Sequence, residues 1–397
     1  MNGKTRFTLI GGICALMIAM GIGRFAYTPL LPLMQADLRF TDAAAGYLAS
    51  SNYAGYFVGA MLAGVLPLKR RRVFHLRCSL AVSIATTCAM GWVHAWIPML
   101  AIRFVAGLAS AFVFVLASGI VLDQLAAAGR THDAGFFYAG VGLGILLSTL
   151  LIPGLSRRFM WEGAWIGLSL LSGMLGMGTW LGIRDDPGGP GQTGDPAAIS
   201  RGPALNRFPG LVLAYGLEGL GYIVTGTFIV SMAESSGIAF DPSIVWMVVG
   251  AGAIPSCILW SAAASRMGML PSLTLAMILQ AAGIALPVIR PGPSGFILGA
   301  LLFGATFMGI TTLATTLARG MNPSGSSRMI GILTAAYAAG QMTGPAVAGW
   351  LLTRTGGFQA ALLGAAGAVF LGGVILAGGM RSGERNRPGS CGGVKKI

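Results

Sequence analysis

Two ionisable residues stand where this sequence is otherwise apolar. Residues 20–34 read MGIGRFAYTPLLPLM, with one full positive charge, Arg24, near the centre. Residues 211–226, LVLAYGLEGLGYIVTG, hold one carboxylate, Glu218. A guanidinium at the centre of a bilayer costs at least ~2.5–3.5 kcal/mol on insertion scales. It also offers a planar fork of donors, so Arg24 is suited to a wet cavity, a gate or an anion. A carboxyl group removed from water is the residue type that can load and release a proton, which proton coupling requires. Tyr215, Glu218, Tyr222 and Thr225 follow at helical spacing and place the polar groups of their segment on one face. Structural roles compete with these: Arg24 could bond carbonyls of a neighbouring helix, and Glu218 could form a static ion pair or bond a hydroxyl. A third buried charge, Arg103, lies a few residues inside its segment, where a structural or coupling role outweighs direct substrate contact.

Further polar groups could line a cavity for a small solute: Tyr27 beside Arg24, Asn52 and Tyr56 four residues apart, Tyr138, and Tyr337 with Gln341 four residues on. Asn and Gln also bond between helices, so a packing role is the alternative for each. The threonine pairs at 311–312 and 315–316 are expected to bond back to their own helix, and Asp123 to be a solvated helix-end residue. Gly11, Ala15, Ala19 and Gly23 recur every fourth residue and give the first segment a small-residue packing face. Pro29 and Pro32 interrupt the backbone ladder beyond Arg24 and predict a bend there. No G-x-x-x-x-G-K-[ST] run is present, and His75, His94 and His132 sit at segment ends without an H-E-x-x-H pattern. Cys14, Cys78, Cys88, Cys257 and Cys391 form no C-x-x-C pair. These features predict neither an enzyme nor a cofactor or metal site.

The elements that carry these residues follow from composition. Of 397 residues, 55% are hydrophobic and 10% charged, and the mean hydropathy is +0.76, far too apolar for a water-soluble domain. Apolar runs long enough to cross a bilayer fall at about 7–35, 43–66, 75–93, 97–122, 134–153, 163–182, 208–233, 243–265, 270–289, 294–318, 328–353 and 357–380. They are continuous rather than alternating, so they predict twelve transmembrane helices and exclude a β-barrel. The first run is too long for a signal peptide. Nineteen of the 26 Lys and Arg fall at the N-terminus, in alternate loops, in the linker and in the tail. The intervening loops hold five, Arg39, Arg157, Arg158, Arg290 and Arg354. That bias places both termini in the cytoplasm, and it makes the net charge of +14 a topology signal rather than a nucleic-acid footprint.

A Gly, Pro and Asp-rich stretch, 184–207, divides the chain. The predicted organisation is an N-terminal six-helix half (1–183), a cytoplasmic linker (184–207), a C-terminal six-helix half (208–380) and a cytoplasmic tail (381–397). Weak repeats agree: GIGRFAYTPLLPLM (21–34) aligns with GLGYIVTGTFIVSM (219–232), and Gly107 with Gly304. Their common offset, near half the chain, predicts parallel halves.

Two six-helix halves, a basic loop after the second segment and a long central linker resemble the major facilitator superfamily. GIGRFAYTPLLPLMQ (21–35) with GYLASSNYAGYFVGAML (46–62) resembles its YbfB/YjiJ-type branch. The resemblance implies an all-α membrane protein of the major facilitator fold working by alternating access. Where the superfamily carries an acidic residue after the second helix, GVLPLKRRR (64–72) has Leu68, and Arg71 replaces the usual glycine. RFVAGLASA (103–111) fits the fourth-helix motif and places Arg103 at a position linked in the superfamily to proton coupling, which Glu218 would share. GQMTGPAVAG (340–349) fits the antiporter motif, with Gly344 and Pro345 at its packing and kink positions, while YAGVGLGIL (138–146) lacks the proline.

These readings together predict a secondary active transporter of a small organic solute in the cytoplasmic (inner) membrane. It is predicted to be proton-coupled and monomeric, with protons, a small-molecule substrate and the lipid bilayer as its partners and no nucleic acid. The resemblance favours efflux over uptake. The rival from another class is a non-transporting membrane sensor or scaffold that retains the fold.

Overall fold

The computed structural model describes residues 3–66, 71–184, 208–321 and 326–385. The predicted linker, apart from Arg184, the tail beyond 385 and positions 67–70 lie outside them, as does Cys391. Among the described residues every regular element is a helix. The helices are α1 (Gly3–Leu16), α2 (Tyr27–Leu38), α3 (Asp42–Val65), α4 (Arg72–Met90), α5 (Trp96–Ala127) and α6 (Ala134–Gly182). After the linker come α7 (Phe208–Ser235), α8 (Ser243–Met267), α9 (Met269–Ile289), α10 (Pro293–Met321), α11 (Ser326–Thr355) and α12 (Gln359–Arg385).

Nine helical stretches among the described residues are long and apolar enough to cross a membrane. α3 and α11 are not among the nine. α6, at 49 residues, carries non-helical backbone at Phe159 and Met160, where the sequence predicts a loop. The chain folds back there: a Cβ on Gly167 would touch Leu155, and both Gly140 and Gly182 lie against residues 7–16 of α1. The twelve predicted crossings therefore rest on this reversal and on two less apolar helices.

The first predicted segment is broken. Six residues, Met17–Ile22, form a π-helical turn after α1, residues 23–26 are a turn, and α2 begins at Tyr27. The expected bend at Pro29 and Pro32 therefore lies upstream of both prolines. The reason is steric and electronic: a proline ring collides with the carbonyl four residues earlier and supplies no N–H to it. Pro29 thus disrupts the ladder at Phe25, and Pro29 itself sits in the first turn of α2, where a missing N–H is tolerated.

The elements pack through glycines. A Cβ on Gly107 of α5 would strike the Asn52 carbonyl of α3, and a Cβ on Gly304 of α10 would strike the Val249 carbonyl of α8. Both positions of this contact recur 197 positions later in the chain, the glycine with its type kept. Gly21 meets Gly144 of α6, and Gly219 of α7 meets Gly340 of α11 in the same manner. Two seams join the parts before and after the linker. Gly46 of α3 faces the Pro345 carbonyl and Gly349 of α11 faces that of Asp42, while Gly142 of α6 lies on Gly250, Ala253 and Ile254 of α8. Thr28 Oγ1 adds a hydrogen bond from α2 to the Gly226 carbonyl of α7.

The start of α1 meets Gly182 at the end of the bundle where the linker leaves, here the linker end. Residues 18–31 and 221–233 are buried on every face, whereas the linker-end stretches of α1 and α7 each keep an exposed face. The far end is thus the tightly enclosed one.

Backbone contact this close leaves no space for a side chain. Gly107→Val is expected to lower the thermal midpoint in detergent by at least ~5 °C, roughly 2 kcal/mol for a chain of this size. Gly119→Ala on the same helix, where an added Cβ meets nothing within 4 Å, should leave the midpoint unchanged.

Candidate functional site

The break in the first element places Arg24 at the middle of the bundle. Its side chain is 2% exposed, and its guanidinium carbon lies 4.3 Å from the ring centroid of Tyr56, 4.6 Å from Tyr53 and 5.5 Å from Phe25. Nε and Nη2 make no hydrogen bond among the described residues. Ring faces stabilise a desolvated cation by up to ~2 kcal/mol each; the Tyr56 hydroxyl also reaches the guanidinium, and the Nε and Nη2 side of the fork stays unused.

Arg103 has a different role. Its Nη1 donates to the Gly23 carbonyl at 3.2 Å, inside the helix break, and its guanidinium covers Tyr27 at 4.8 Å. Tyr27 donates to the Ala45 carbonyl at 3.0 Å, and Asn52 Nδ2 donates to the backbone carbonyl of Arg103 at 2.9 Å. Arg103, Tyr27 and Asn52 together tie α5, α2 and α3 to the turn that carries Arg24. Gly23 packs beside Ser83 of α4.

Glu218 is 0% exposed. Gln280 of α9 and Tyr337 of α11 reach its carboxyl group, yet neither oxygen has a hydrogen bond of full geometry among the described residues. No ion pair there joins Glu218 to Arg24, so the static pair considered from sequence is not formed. Tyr222 and Tyr337 lie within electrostatic reach of both Arg24 and Glu218.

Between the two charges lies a wall of rings. Tyr222 stacks on Tyr337 (5.5 Å, 9°), Phe307 (5.9 Å, 8°) and Phe303 (6.2 Å, 19°). Tyr215 stacks on Tyr337 at 4.3 Å, and Gln341 Nε2 donates to the Tyr222 hydroxyl.

The structure thus gathers Arg24, Tyr56, Tyr222, Tyr337, Gln341 and Glu218 into one buried cluster, with Arg103, Tyr27 and Asn52 behind it. Tyr138 is elsewhere, against Phe114 and Phe137. Gly344 packs on the Leu220 carbonyl, and Pro345 belongs to the α3 to α11 seam. Residues 311, 312, 315 and 316 do bond back to their own helix. Asp123 is not merely solvated: Arg72 Nη1 meets its Oδ2 at 2.8 Å. Sequence reasoning missed Tyr53, Gln280, Phe303 and Phe307. The i, i+3 spacing of Tyr53 and Tyr56, and the single amide in the apolar α9, were the available signals.

A family model described as "Uncharacterised MFS-type transporter YbfB" matches residues 16–377. "Uncharacterized MFS-type transporter YceJ" of Bacillus subtilis (strain 168) is 26% identical over 359 residues, 87% of this chain and 90% of that protein. "Probable anion transporter 6, chloroplastic" of Arabidopsis thaliana is 23% identical over 192 residues, 46% of this chain and 35% of that protein. The crystal structure of a mutant of the nucleoside transporter NupG superposes with a TM-score of 0.73 at 15% identity, covering 94% of this chain and 99% of that one.

Removing Arg103 and removing Arg24 should differ in kind. Arg103→Leu strips the Gly23 carbonyl of its charged donor, an interaction of roughly 1.5–3 kcal/mol, and should lower the thermal midpoint by several degrees. Arg103→Lys should recover part of that loss, because an ammonium restores charge but not the fork.

Proposed function

The chain belongs to the family of uncharacterised MFS-type transporters typified by YbfB, and on that premise we propose that it moves a small organic anion by proton-coupled alternating access. It is a multi-pass membrane protein that transports a solute, and it is not an enzyme. The observation that carries the finer reading is the unneutralised guanidinium of Arg24, which has ring faces around it and two nitrogens without partners. A buried cation with a free planar fork is a receptor for an anionic group. The relative named as an anion transporter agrees in kind.

In this reading the parts before and after the linker, 1–183 and 208–380, are the two rigid halves, and the glycine seams are where they rock. The recurrence of the Asn52 to Gly107 contact at Val249 to Gly304 supports that division. The basic bias assigns the linker end to the cytoplasm and the closed far end to the outside of the inner membrane. Thr28 bonded to Gly226 is a latch that must break for the far end to open. Glu218 is the proton carrier, buried on the half opposite Arg24 and close enough for Tyr222 and Tyr337 to sense both charges. Protonation at Glu218 and anion occupancy at Arg24 then bias the same rocking equilibrium, which is all that coupling requires. Outward movement is favoured by the antiporter-like run at 340–349, and the protein works as a monomer.

Two variants test this in proteoliposomes under an imposed pH gradient. Arg24→Ala should be folded and inserted yet inactive, because its guanidinium donates no structural bond that Arg103 does not already provide to the break; loss of folded protein would count for a packing role. Glu218→Gln keeps shape while fixing the neutral state. Net pH-driven flux should vanish, solute exchange should persist, and the pH dependence of affinity should flatten. Accumulation against a gradient with unchanged pH dependence would remove Glu218 from the coupling role.

A further inference from the structure

The orientation of the rings at the centre narrows the class of anion. Five ring pairs, all drawn from Tyr215, Tyr222, Tyr337, Phe303 and Phe307, have planes within 8–19° of each other. Every other Phe, Tyr or Trp pair among the described residues is inclined by 37–77°. Packing alone favours mixtures of offset-stacked and edge-on arrangements, so parallel planes confined to one place mark a surface shaped for something flat. The wall is contributed by α7, α10 and α11. Facing it are Arg24 and Phe25 of the helix break and Tyr53 and Tyr56 of α3, and Phe25 touches Phe307 edge-on at 6.1 Å. A solute held here would have one side on the wall and one end on the guanidinium.

The guanidinium at the wall selects a carboxylate. Arg24 has Nε and Nη2 unbonded, which matches the two oxygens of one carboxylate in a side-on fork. Arg103, the other buried guanidinium, also keeps Nε and Nη2 without a partner, but its Nη1 is held by the Gly23 carbonyl and its face lies over Tyr27, behind the rings that surround Arg24. Glu218 lies beyond Tyr337 and would repel a dianion whenever it is ionised. We propose that the site takes a planar aromatic carboxylate, its carboxylate on Arg24 and its ring aligned with the parallel rings of Tyr222 and Phe307. This assignment rests on the transport reading above and adds the chemical class of its substrate. The wall and the fork come from elements on opposite sides of the proposed rocking axis, so the ring enters where the two parts separate.

Binding of three probes to the purified full chain in lipid nanodiscs, by calorimetry, tests the assignment. Benzoate is flat and charged, cyclohexanecarboxylate has the same charge and nearly the same size without the flat face, and benzamide keeps the ring without the charge. Benzoate is expected to bind about tenfold or more tighter than either control, since stacking and the charged fork each contribute. Phe307→Leu should bring benzoate down to the level of cyclohexanecarboxylate, and Arg24→Gln down to that of benzamide. If Arg24→Gln does not fold, the comparison of benzamide with benzoate on the wild type still decides the charge. Equal binding of benzoate and cyclohexanecarboxylate, equal binding of benzoate and benzamide, or no benzoate binding up to ~10 mM overturns the proposal. The two readings fail differently. Benzoate binding without flux of benzoate under a pH gradient would overturn transport at this site, whereas pH-driven flux of another anion that benzoate cannot inhibit would overturn only the aromatic class.

Discussion

A guanidinium placed at the middle of an apolar bundle has to be solvated by something, and this protein does so with aromatic faces rather than a carboxylate. An acidic partner would satisfy Arg24 completely and leave it inert. Quadrupoles offset part of the desolvation cost while keeping the donors free, so the surrounding structure is committed to bringing several rings around one cation. Tyr53 and Tyr56 can do so because α3 lies close to α5 over Gly107. Phe25 can do so because the first element is interrupted beside it. The interruption in turn needs Arg103, whose bond to Gly23 satisfies a carbonyl that no helix bonds.

The apolar runs made the class of the protein legible, and the two central charges made the candidate site legible, because each signal is carried by residue type at a known depth. Geometry shared among several helices was not legible. Nothing in the spacing of Tyr222, Phe307 and Tyr337, which lie on three different helices, says that their planes are parallel. The prolines announced a bend, but its place depends on the carbonyl they exclude, one turn earlier. The fold-back at Phe159 and Met160 was readable as a loop and is instead an abrupt change of backbone angle within one helical run. Asp123 shows how a missing motif residue misleads: with Leu68 in place of the acid, the basic cluster looked partnerless, yet Arg72 finds its carboxylate on α5.

Arg24 and Arg103 also show how one residue type divides its work. Both are buried, both touch tyrosine rings, and both came to notice for the same reason, a charge in an apolar run. Both keep Nε and Nη2 without a partner, but Arg103 has a backbone carbonyl in reach and ties the scaffold, whereas Arg24, displaced into the break, meets only tyrosine and phenylalanine side chains. The difference is set by backbone geometry and not by the side chain.

The seams at Gly46 with Pro345, and at Gly142 with Gly250, set chain against chain with almost no side chains between. Surfaces of that kind hold no rotamers to freeze or release, so sliding one past the other changes contact area without a matching change in side-chain entropy. In the proposed rocking motion, friction along the seam would be low and the choice between arrangements would fall to a few discrete bonds, Thr28 to Gly226 foremost, which would make the molecule a hinge with a catch rather than a spring.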